Sequence, residues 1–459
     1  MMRQTHLLQR LTVSLLLVLL AWTDVALSDI KIQNWHTRNG ARVYFVPAPE
    51  LPLVDVRVIF DAGGARDGNK PGLARLTNSL LTEGAGKLSA DQIAERLDRV
   101  GAQINAGSLR DMAWVAVRTL TDELPMRETI GTLSLILGEP SFNKKAFNRQ
   151  QKQMLISLDA EEQSPSDIAD RAYFEAVYGK HPYASSPAGT RESLKSIKRK
   201  DVIEFHKRYY VAKNAVIAIT GDMTRLGAEA MAEVIISSMR KGSVAAPLPP
   251  VKPLEKAVTR HIEYPSTQTH ISIGQPGVTR NDPDYFPLYV GNHTLGGSGL
   301  VSRLMEEVRE KRGYSYSVYS YFSPMRAQGP FELGLQSRND KAQEARRVAM
   351  ETLNKFINQG ISDEELEASK KNITGGFALR LDSNKKIVQQ IAAIGFYGLP
   401  LDYLNTFKDK VNRVTKKDVQ EAFKRRLDSS KMVTIMVGPK DIKQKAVTGN
   451  KAKNMSKQH

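Results

Sequence analysis

Histidine, cysteine, aspartate and glutamate are the side chains that hold a catalytic zinc ion, so their spacing decides whether a sequence carries such a site. The 459-residue sequence has eight histidines and no cysteine. The histidines stand at positions 6, 36, 181, 206, 261, 270, 293 and 459, and no two of them are three or four residues apart. No pair of imidazoles can therefore share one helical face. The remaining possibility for a zinc site is one whose ligands come together only in the tertiary fold. A chain with such a site would be an independent hydrolase with a relocated metal.

The segment Pro71–Leu81 begins a predicted helix in a setting that is typical of an active site. It follows an apolar strand, Val54–Phe60, and a glycine-rich turn, Asp61–Gly68. This succession resembles the approach to the active site in the pitrilysin/insulinase family of zinc peptidases. In that family the helix carries His-x-x-Glu-His, in which two imidazoles hold zinc and the glutamate is the general base. A further zinc-binding glutamate, with an acid seven residues before it, lies on a second helix.

Five positions depart from the family pattern. The three motif positions are Arg75, Asn78 and Ser79, and the two acidic positions of the second helix are Gln150 and Ser157. A guanidinium stays protonated and cannot bind zinc, serine is a poor neutral ligand, and asparagine is no base. The resemblance therefore implies a degenerate zinc site and no metal or cofactor bound by this chain.

The second half of the sequence keeps another motif of the same family. Leu-Gly-Gly stands at 295–297, Ser-Arg-Leu at 302–304 and Arg-Glu-x-x-Gly-x-x-Tyr-Ser-Val at 309–318. In the family the arginine and the tyrosine bind substrate backbone and stabilise the tetrahedral intermediate, in paired members by reaching into the partner's zinc site. The resemblance assigns these roles to Arg309 and Tyr316, whose donors suit a developing oxyanion. The alternative is that Arg309 pairs with Glu306 or the helix dipole and that Tyr316 only packs on a sheet.

Gly296, Gly297 and Gly299 form a glycine-rich segment before this motif. The segment also resembles a phosphate-binding loop, but it lacks the Gly-Lys-Ser/Thr ending, and Ser302 stands where a dinucleotide fingerprint has glycine. We expect a flexible loop at the entrance of a peptide chamber, as in non-catalytic subunits of related peptidases. A plain tight turn is the alternative.

The chain repeats one plan twice. A Lys-Asp-Val helix start followed by a β-branched strand occurs at 200–220 and again at 417–437, and residues 142–154 correspond to 361–373 at a similar offset. This repetition indicates duplication. The predicted fold class is α+β, with two homologous halves, each a mostly antiparallel sheet backed by helices. The predicted halves are 29–240 and 257–439, joined by a proline-rich linker at 241–256, which cannot be continuous helix.

The N-terminus and the net charge bear on location and partners. Residues 1–28 have a basic start, an apolar run at 11–22 and a small-x-small site that predicts signal cleavage after Ser28; an uncleaved anchor is the alternative. A periplasmic or secreted protein without a membrane span after cleavage is expected.

The net charge is +17, but only the tail at 440–459 is a continuous basic run, and no nucleic-acid-binding motif accompanies it. Nucleic acid is therefore not an expected partner.

The resemblance implies a non-catalytic, substrate-binding subunit of an exported heteromeric zinc metallopeptidase. The expected partner is a homologue that carries His-x-x-Glu-His and the zinc, and the expected substrates are peptides. The alternative is a structural or peptide-binding module of the same fold without a role in proteolysis.

Overall fold

The structure of the protein is a computed structural model that describes residues 29–440. The predicted signal peptide at 1–28 and the tail beyond residue 440 lie outside the described residues. From Ile32 onward the described chain forms one unit. Among residues 29–440, no helix has the length and apolar character that a membrane crossing requires.

Thirteen strands are present among the described residues. In chain order they are β1 Gln33–His36, β2 Arg42–Pro47, β3 Leu53–Phe60, β4 Gly84–Ala85, β5 Leu88–Ser89, β6 Gln103–Ser108, β7 Ala113–Leu120, β8 Ala215–Gly221, β9 Val258–Glu263, β10 Gln268–Pro276, β11 Ser315–Phe322, β12 Pro330–Arg338 and β13 Val433–Gly438.

Fourteen α-helices accompany these strands in the described part of the chain. They are α1 Leu73–Ser79, α2 Ala90–Asp98, α3 Glu123–Gly138, α4 Lys144–Glu161, α5 Pro165–Tyr178, α6 Arg191–Ser196, α7 Arg199–Tyr209, α8 Arg225–Ile235, α9 Tyr285–Asn292, α10 Ala342–Gln359, α11 Asp363–Gly375, α12 Asn384–Tyr397, α13 Tyr403–Arg413 and α14 Lys416–Arg426.

The two large sheets share one topology, as the predicted duplication requires. The first has the order β1-β2-β8-β3-β7-β6 and the second β11-β12-β10-β13-β9. In each sheet one pair is parallel, β2 with β8 and β9 with β13, and every other pair is antiparallel. The predicted α+β class with two similar, mostly antiparallel halves is confirmed. The boundaries predicted for the halves stay a prediction.

The inner strands are buried along their whole length. Every residue of β8 and of β13 is buried. A strand with buried side chains on both sides of the pleat needs cover on both faces of its sheet. One layer of helices from the same half covers only one face, so a second layer is required.

A helix from the opposite half contributes to that second layer. α12 of the second half packs against β2, β3 and β8, and α5 of the first half packs against β10 and β13. The approach of α12 is close, because a Cβ atom on Gly395 would lie 2.5 Å from the ring of Tyr44 and 2.7 Å from Val216. On the other side, the buried hydroxyl of Tyr173 in α5 donates to the carbonyl of Phe331 in β12 at 2.6 Å. The two halves are therefore interlocked.

A buried carboxylate adds a polar connection between the halves. Asp111, in the turn between β6 and β7, accepts from the hydroxyl of Tyr183, from the amide of Arg326 at 2.7 Å and from the hydroxyl of Tyr397 at 3.3 Å. Burial raises the pKa of Asp111, and the bond from Tyr183 opposes that shift. Because Arg326 and Tyr397 belong to the second half, the network links the halves by hydrogen bonds as well as by packing.

Residues 241–256, predicted as an extended linker, contain no helix or strand. Leu248 and Val251 pack against the core that α5 forms with β13. The connection is therefore held against the body of the protein along part of its length.

Gly395→Ala tests the interlocking of the halves. We expect the free energy of unfolding to fall by about 1–2 kcal/mol, because the new methyl group must displace Tyr44 or Val216. The measurement is the denaturant midpoint followed by circular dichroism. Gly375→Ala in α11 is the control, since its Cβ would meet no atom within 4 Å and should leave stability equal or raised. Equal midpoints for the two variants would contradict tight packing of α12.

Candidate functional site

The strand, turn and helix that begin the candidate site are present as predicted. β3 leads through a turn to α1, whose N-cap residue Gly72 has a φ of 94°, a conformation that favours glycine. The carboxylate of Asp67 accepts from the amides of Gly72 and Ala74 at 2.8 and 2.7 Å and so fixes the start of the helix. Burial raises the pKa of Asp67 to about 8.

At the first degenerate position, an ion pair stands where the family has a zinc ligand. Nη1 of Arg75 lies 3.6 Å from Oε1 of Glu161, at the end of α4. Glu161 also lies 3.4 Å from Arg171. A guanidinium held in this way brings positive charge to the place where a cation would bind.

The side chains at the other two positions of α1, 78 and 79, form hydrogen bonds with neighbouring parts of the fold. Asn78 is buried and donates to the hydroxyl of Tyr210 at 3.2 Å and to the carbonyl of Trp114 at 3.3 Å. The hydroxyl of Ser79 donates back to the carbonyl of Leu76 at 3.0 Å. Asn78 therefore links α1 to β7 and to the end of α7.

The imidazole of His206 supports this contact from behind. It stacks on the ring of Tyr210 with centroids 5.1 Å apart, and its Nε2 lies 2.8 Å from the carbonyl of Leu137. Burial lowers the pKa of His206 to about 4, so the ring is neutral at pH 7. The neutral ring donates to the carbonyl of Leu137, and its face packs against the ring of Tyr210.

The two positions on α4 complete the degenerate site. Nε2 of Gln150 donates to Oε1 of Glu83 at 2.6 Å, and Glu83 also pairs with Arg149. Ser157 is half-buried on the same helix, one turn before Glu161. These residues do not fit zinc, because a guanidinium, an amide and a hydroxyl are poor ligands for the ion. The polar groups at 75, 78, 79 and 150 are also engaged with other parts of the fold. Within residues 29–440, no group of three or more His, Asp or Glu side chains is placed to hold a metal ion.

Arg309 and Tyr316 are brought together. Arg309 lies in a π-helical segment, Met305–Glu310, which follows the 3₁₀ turn Gly299–Val301. Its guanidinium carbon is 5.3 Å from the ring centroid of Tyr316, within cation–π range. The nearby acid Glu306 pairs with Lys311 instead, and Arg309 approaches only Glu310, at 3.8 Å.

A β-bulge explains the outward position of Tyr316. The pairing of β11 with β12 shifts between Ser315 and Ser317, so that Tyr316 is the extra residue. A bulge re-aims a side chain, and Tyr316 is 78% exposed. Tyr319 and Tyr321 stack on each other with centroids 5.7 Å apart, and the hydroxyl of Tyr321 donates to the buried Glu332. Packing on the sheet therefore accounts for those two tyrosines but not for Tyr316.

The glycine-rich segment is more closely packed than a free loop would be. Gly296 and Gly297 belong to a π-helical segment, His293–Gly297. A Cβ on Gly296 would lie 2.4 Å from the amide of Ser320, and one on Gly297 would lie 2.9 Å from the side chain of Asn292. Only Gly299, with a φ of 64° and open space around it, has the geometry of a turn. Gly296 permits close approach to β11, and Gly297 permits close approach to Asn292 at the end of α9.

Sequence reasoning missed a cavity of about 750 Å³ beside this segment. Two arginines and several tyrosines line it, among them Arg280, Arg380, Tyr285 and Tyr289. The spacing of Tyr285 and Tyr289, four residues apart on one helix, was the one available signal. Residues 280 and 380 are brought together only by tertiary folding.

Comparison with known proteins gives consistent matches over most of the described chain. Residues 42–191 match the family described as Insulinase (Peptidase family M16), and residues 196–373 match the one described as Peptidase M16 inactive domain. A crystal structure of a peptidase M16 inactive domain from Pseudomonas fluorescens is similar at 37% identity and a TM-score of 0.87, covering 89% of this chain and 98% of that one.

Two curated relatives carry different descriptions. The non-peptidase homolog YmxG of Helicobacter pylori is 25% identical over 370 residues, which cover 79% of this chain and 84% of the relative. The uncharacterized zinc protease YmxG of Bacillus subtilis is 26% identical over 353 residues, which cover 77% and 85%. The matches thus include proteins described as peptidases and one described as a non-peptidase.

The neutral state of His206 predicts how stability depends on pH. An unfolded histidine titrates near 6.5, and the folded pKa is lowered to about 4. Between these values the unfolded state binds more protons. The free energy of unfolding should therefore fall as pH falls, by on the order of 1 kcal/mol per pH unit from this residue. The measurement is a series of denaturation curves from pH 7 to pH 4.5.

His206→Gln should lose stability at pH 7 but show a shallower decline toward low pH than the wild type. His36→Gln is the control, because His36 is exposed and its removal should leave the slope unchanged. A slope that His206→Gln does not alter would contradict a buried neutral imidazole.

Proposed function

The chain belongs to the insulinase (M16) family of peptidases, and on this premise we propose that it is the non-catalytic, substrate-binding subunit of an exported heteromeric zinc metallopeptidase. The match to a domain described as inactive and the relative described as a non-peptidase support a non-catalytic role. The exchanged residues at 75, 78 and 79 support it on chemical grounds, because they offer neither metal ligands nor a base.

The pairing of Arg309 with an exposed Tyr316 is the observation that carries the proposal. A guanidinium and a phenol hydroxyl are both hydrogen-bond donors, and donors fixed in advance stabilise an oxyanion strongly. The bulge places Tyr316 where a second protein can meet it. Among residues 29–440, Arg309 approaches only Glu310, at 3.8 Å, and Sδ of Met305, at 3.9 Å, and Tyr316 is exposed, so neither side chain is fixed by a buried hydrogen bond of the kind that holds Asn78. In the proposed complex these donors face the scissile carbonyl in the partner's zinc site.

An exposed sheet edge supports peptide binding. β6 is the last strand of the first sheet, and residues 103, 105 and 106 within it are exposed. An edge strand presents unpaired backbone groups, to which an extended peptide can add as a further strand. α1 packs against β6, so this edge lies beside the degenerate site. A peptide bound there would run past the positions that are catalytic in the family, and cleavage would need the partner's zinc.

The proposal predicts that activity belongs to the pair. The partner is a homologue with an intact His-x-x-Glu-His motif, and mixing the two chains should raise cleavage of an unfolded peptide well above the rate of the partner alone. The measurement is turnover of a quenched fluorescent peptide at increasing concentrations of this chain. An unchanged rate at saturation, with binding of the two chains shown by sedimentation, would favour a structural module instead.

Arg309→Ala and Tyr316→Phe should each lower kcat of the complex by about ten-fold or more, because removing one oxyanion donor costs on the order of 10²-fold in comparable sites. Arg312→Ala and Tyr314→Phe are the matched controls on the same segment and should retain the rate. Arg312 pairs with Glu307 on the surface, and Tyr314 precedes the bulge. Equal rates for all four variants would contradict the roles of Arg309 and Tyr316.

A further inference from the structure

The cavity of about 750 Å³ in the second half is separate from the Arg309–Tyr316 pair. It lies between α9, α11 and the edge strand β11, and neither Arg309 nor Tyr316 lines it. Its apolar wall includes Leu288, Phe322 and Ile373. A cavity of this size with apolar walls and a few convergent polar groups is typical of a ligand site.

The polar groups of the cavity form a row on one side. Tyr285 and Tyr289 stack on successive turns of α9, with ring centroids 5.9 Å apart and planes 4° from parallel. Nη1 of Arg280 donates to the hydroxyl of Tyr285 at 3.1 Å, and Arg380 donates to the hydroxyl of Tyr289. The two tyrosines therefore hold one guanidinium at each end of the row.

The charge of this cavity is not balanced. Two arginines line it and no aspartate or glutamate does. Among residues 29–440, neither Arg280 nor Arg380 has a carboxylate within 4.0 Å, whereas Arg425 and Arg426 nearby in the same half pair with Asp284. A guanidinium that meets only phenol oxygens and aromatic rings keeps donors available for an anion.

The histidine of the cavity does not alter this balance. Nδ1 of His293 lies 2.9 Å from the hydroxyl of Ser369, and its Nε2 lies 3.0 Å from Oδ1 of Asn372. Burial lowers the pKa of His293, which keeps the ring neutral near pH 7. The positive charge therefore comes from the two arginines.

We propose that this cavity binds a carboxylate of the peptide substrate, with an apolar side chain of the same peptide seated against its aliphatic and aromatic wall. The planar guanidinium of an arginine presents parallel N–H donors that match the two oxygens of a carboxylate, and the wall gives room for the neighbouring side chain. The carboxylate comes from the C-terminus of the peptide or from an aspartate or glutamate in it. The inference rests on the proposed role in peptide binding, and it adds an anchor separate from the Arg309–Tyr316 pair.

The test is fluorescence anisotropy with the isolated chain and a rhodamine-labelled, leucine-rich dodecapeptide in 150 mM salt. Three forms of the peptide are compared: a free C-terminal acid, a C-terminal amide, and an amide with one internal glutamate. We expect the free acid or the glutamate peptide to bind at least about ten-fold more tightly than the neutral amide, and the form that does so identifies the source of the carboxylate.

Arg380→Gln should abolish this preference, and because the side chain is exposed we expect the variant to fold as the wild type does. Arg99→Gln is the control, since Arg99 is exposed at the end of α2 in the first half, and it should keep the preference. Equal binding of all three peptides, or a preference that survives in Arg380→Gln, would overturn the anchor. Because this assay contains no partner, such a result would leave the cleavage assays with Arg309 and Tyr316 variants to decide the proposed function separately.

Discussion

The need to cover both faces of two sheets governs this structure. Strands β8 and β13 are buried throughout, so each sheet requires an apolar layer on either side. The solution is an exchange in which α5 covers part of the second sheet and α12 part of the first. The close approach at Gly395 and the bond from Tyr173 to Phe331 show how little room the exchange leaves. The exchange fixes the two halves against each other.

The degenerate site and the Arg309–Tyr316 pair differ in how their polar groups are used. In the first half, Asn78 bonds to a buried phenol and a carbonyl, and Gln150 donates to Glu83. These groups stabilise the fold and have little capacity left for a ligand. In the second half, Arg309 and Tyr316 contact each other through a cation–π interaction, and the phenol of Tyr316 is exposed. The two groups of residues therefore differ in whether their hydrogen-bond donors already have partners within the described part of the fold.

Local sequence patterns predicted the parts of the fold that depend on local physics. The apolar run before Asp61, the glycine turn and the start of α1 were readable because strand periodicity and turn chemistry act over a few residues. The repeated Lys-Asp-Val helix starts identified the duplication, which the matching sheet orders confirm. The degenerate positions were also readable, since the resemblance fixed where zinc ligands would stand.

Features set by long-range packing were not readable in the same way. Nothing in the sequence near 384–397 indicates that α12 packs on the opposite sheet. The extra residue at Tyr316 leaves the strand pattern intact and appears only in the pairing of β11 with β12. The cavity brings together residues 280 and 380, which are two of many arginines in a basic sequence. Only the folded structure, over residues 29–440, shows that no carboxylate lines the cavity with them. Tertiary context decided all three.

The exchanged helices also bear on how the molecule is made. When a ribosome has produced β8, the sheet of the first half is complete in strands, yet the part of its face that α12 covers on β2, β3 and β8 stays without that cover until residues 384–397 have been made. Tandem domains commonly fold one after another during synthesis. The first half of this chain cannot complete its packing in that way, because it needs a helix from the second half. The native packing of the first sheet therefore forms only after α12 of the second half has been made.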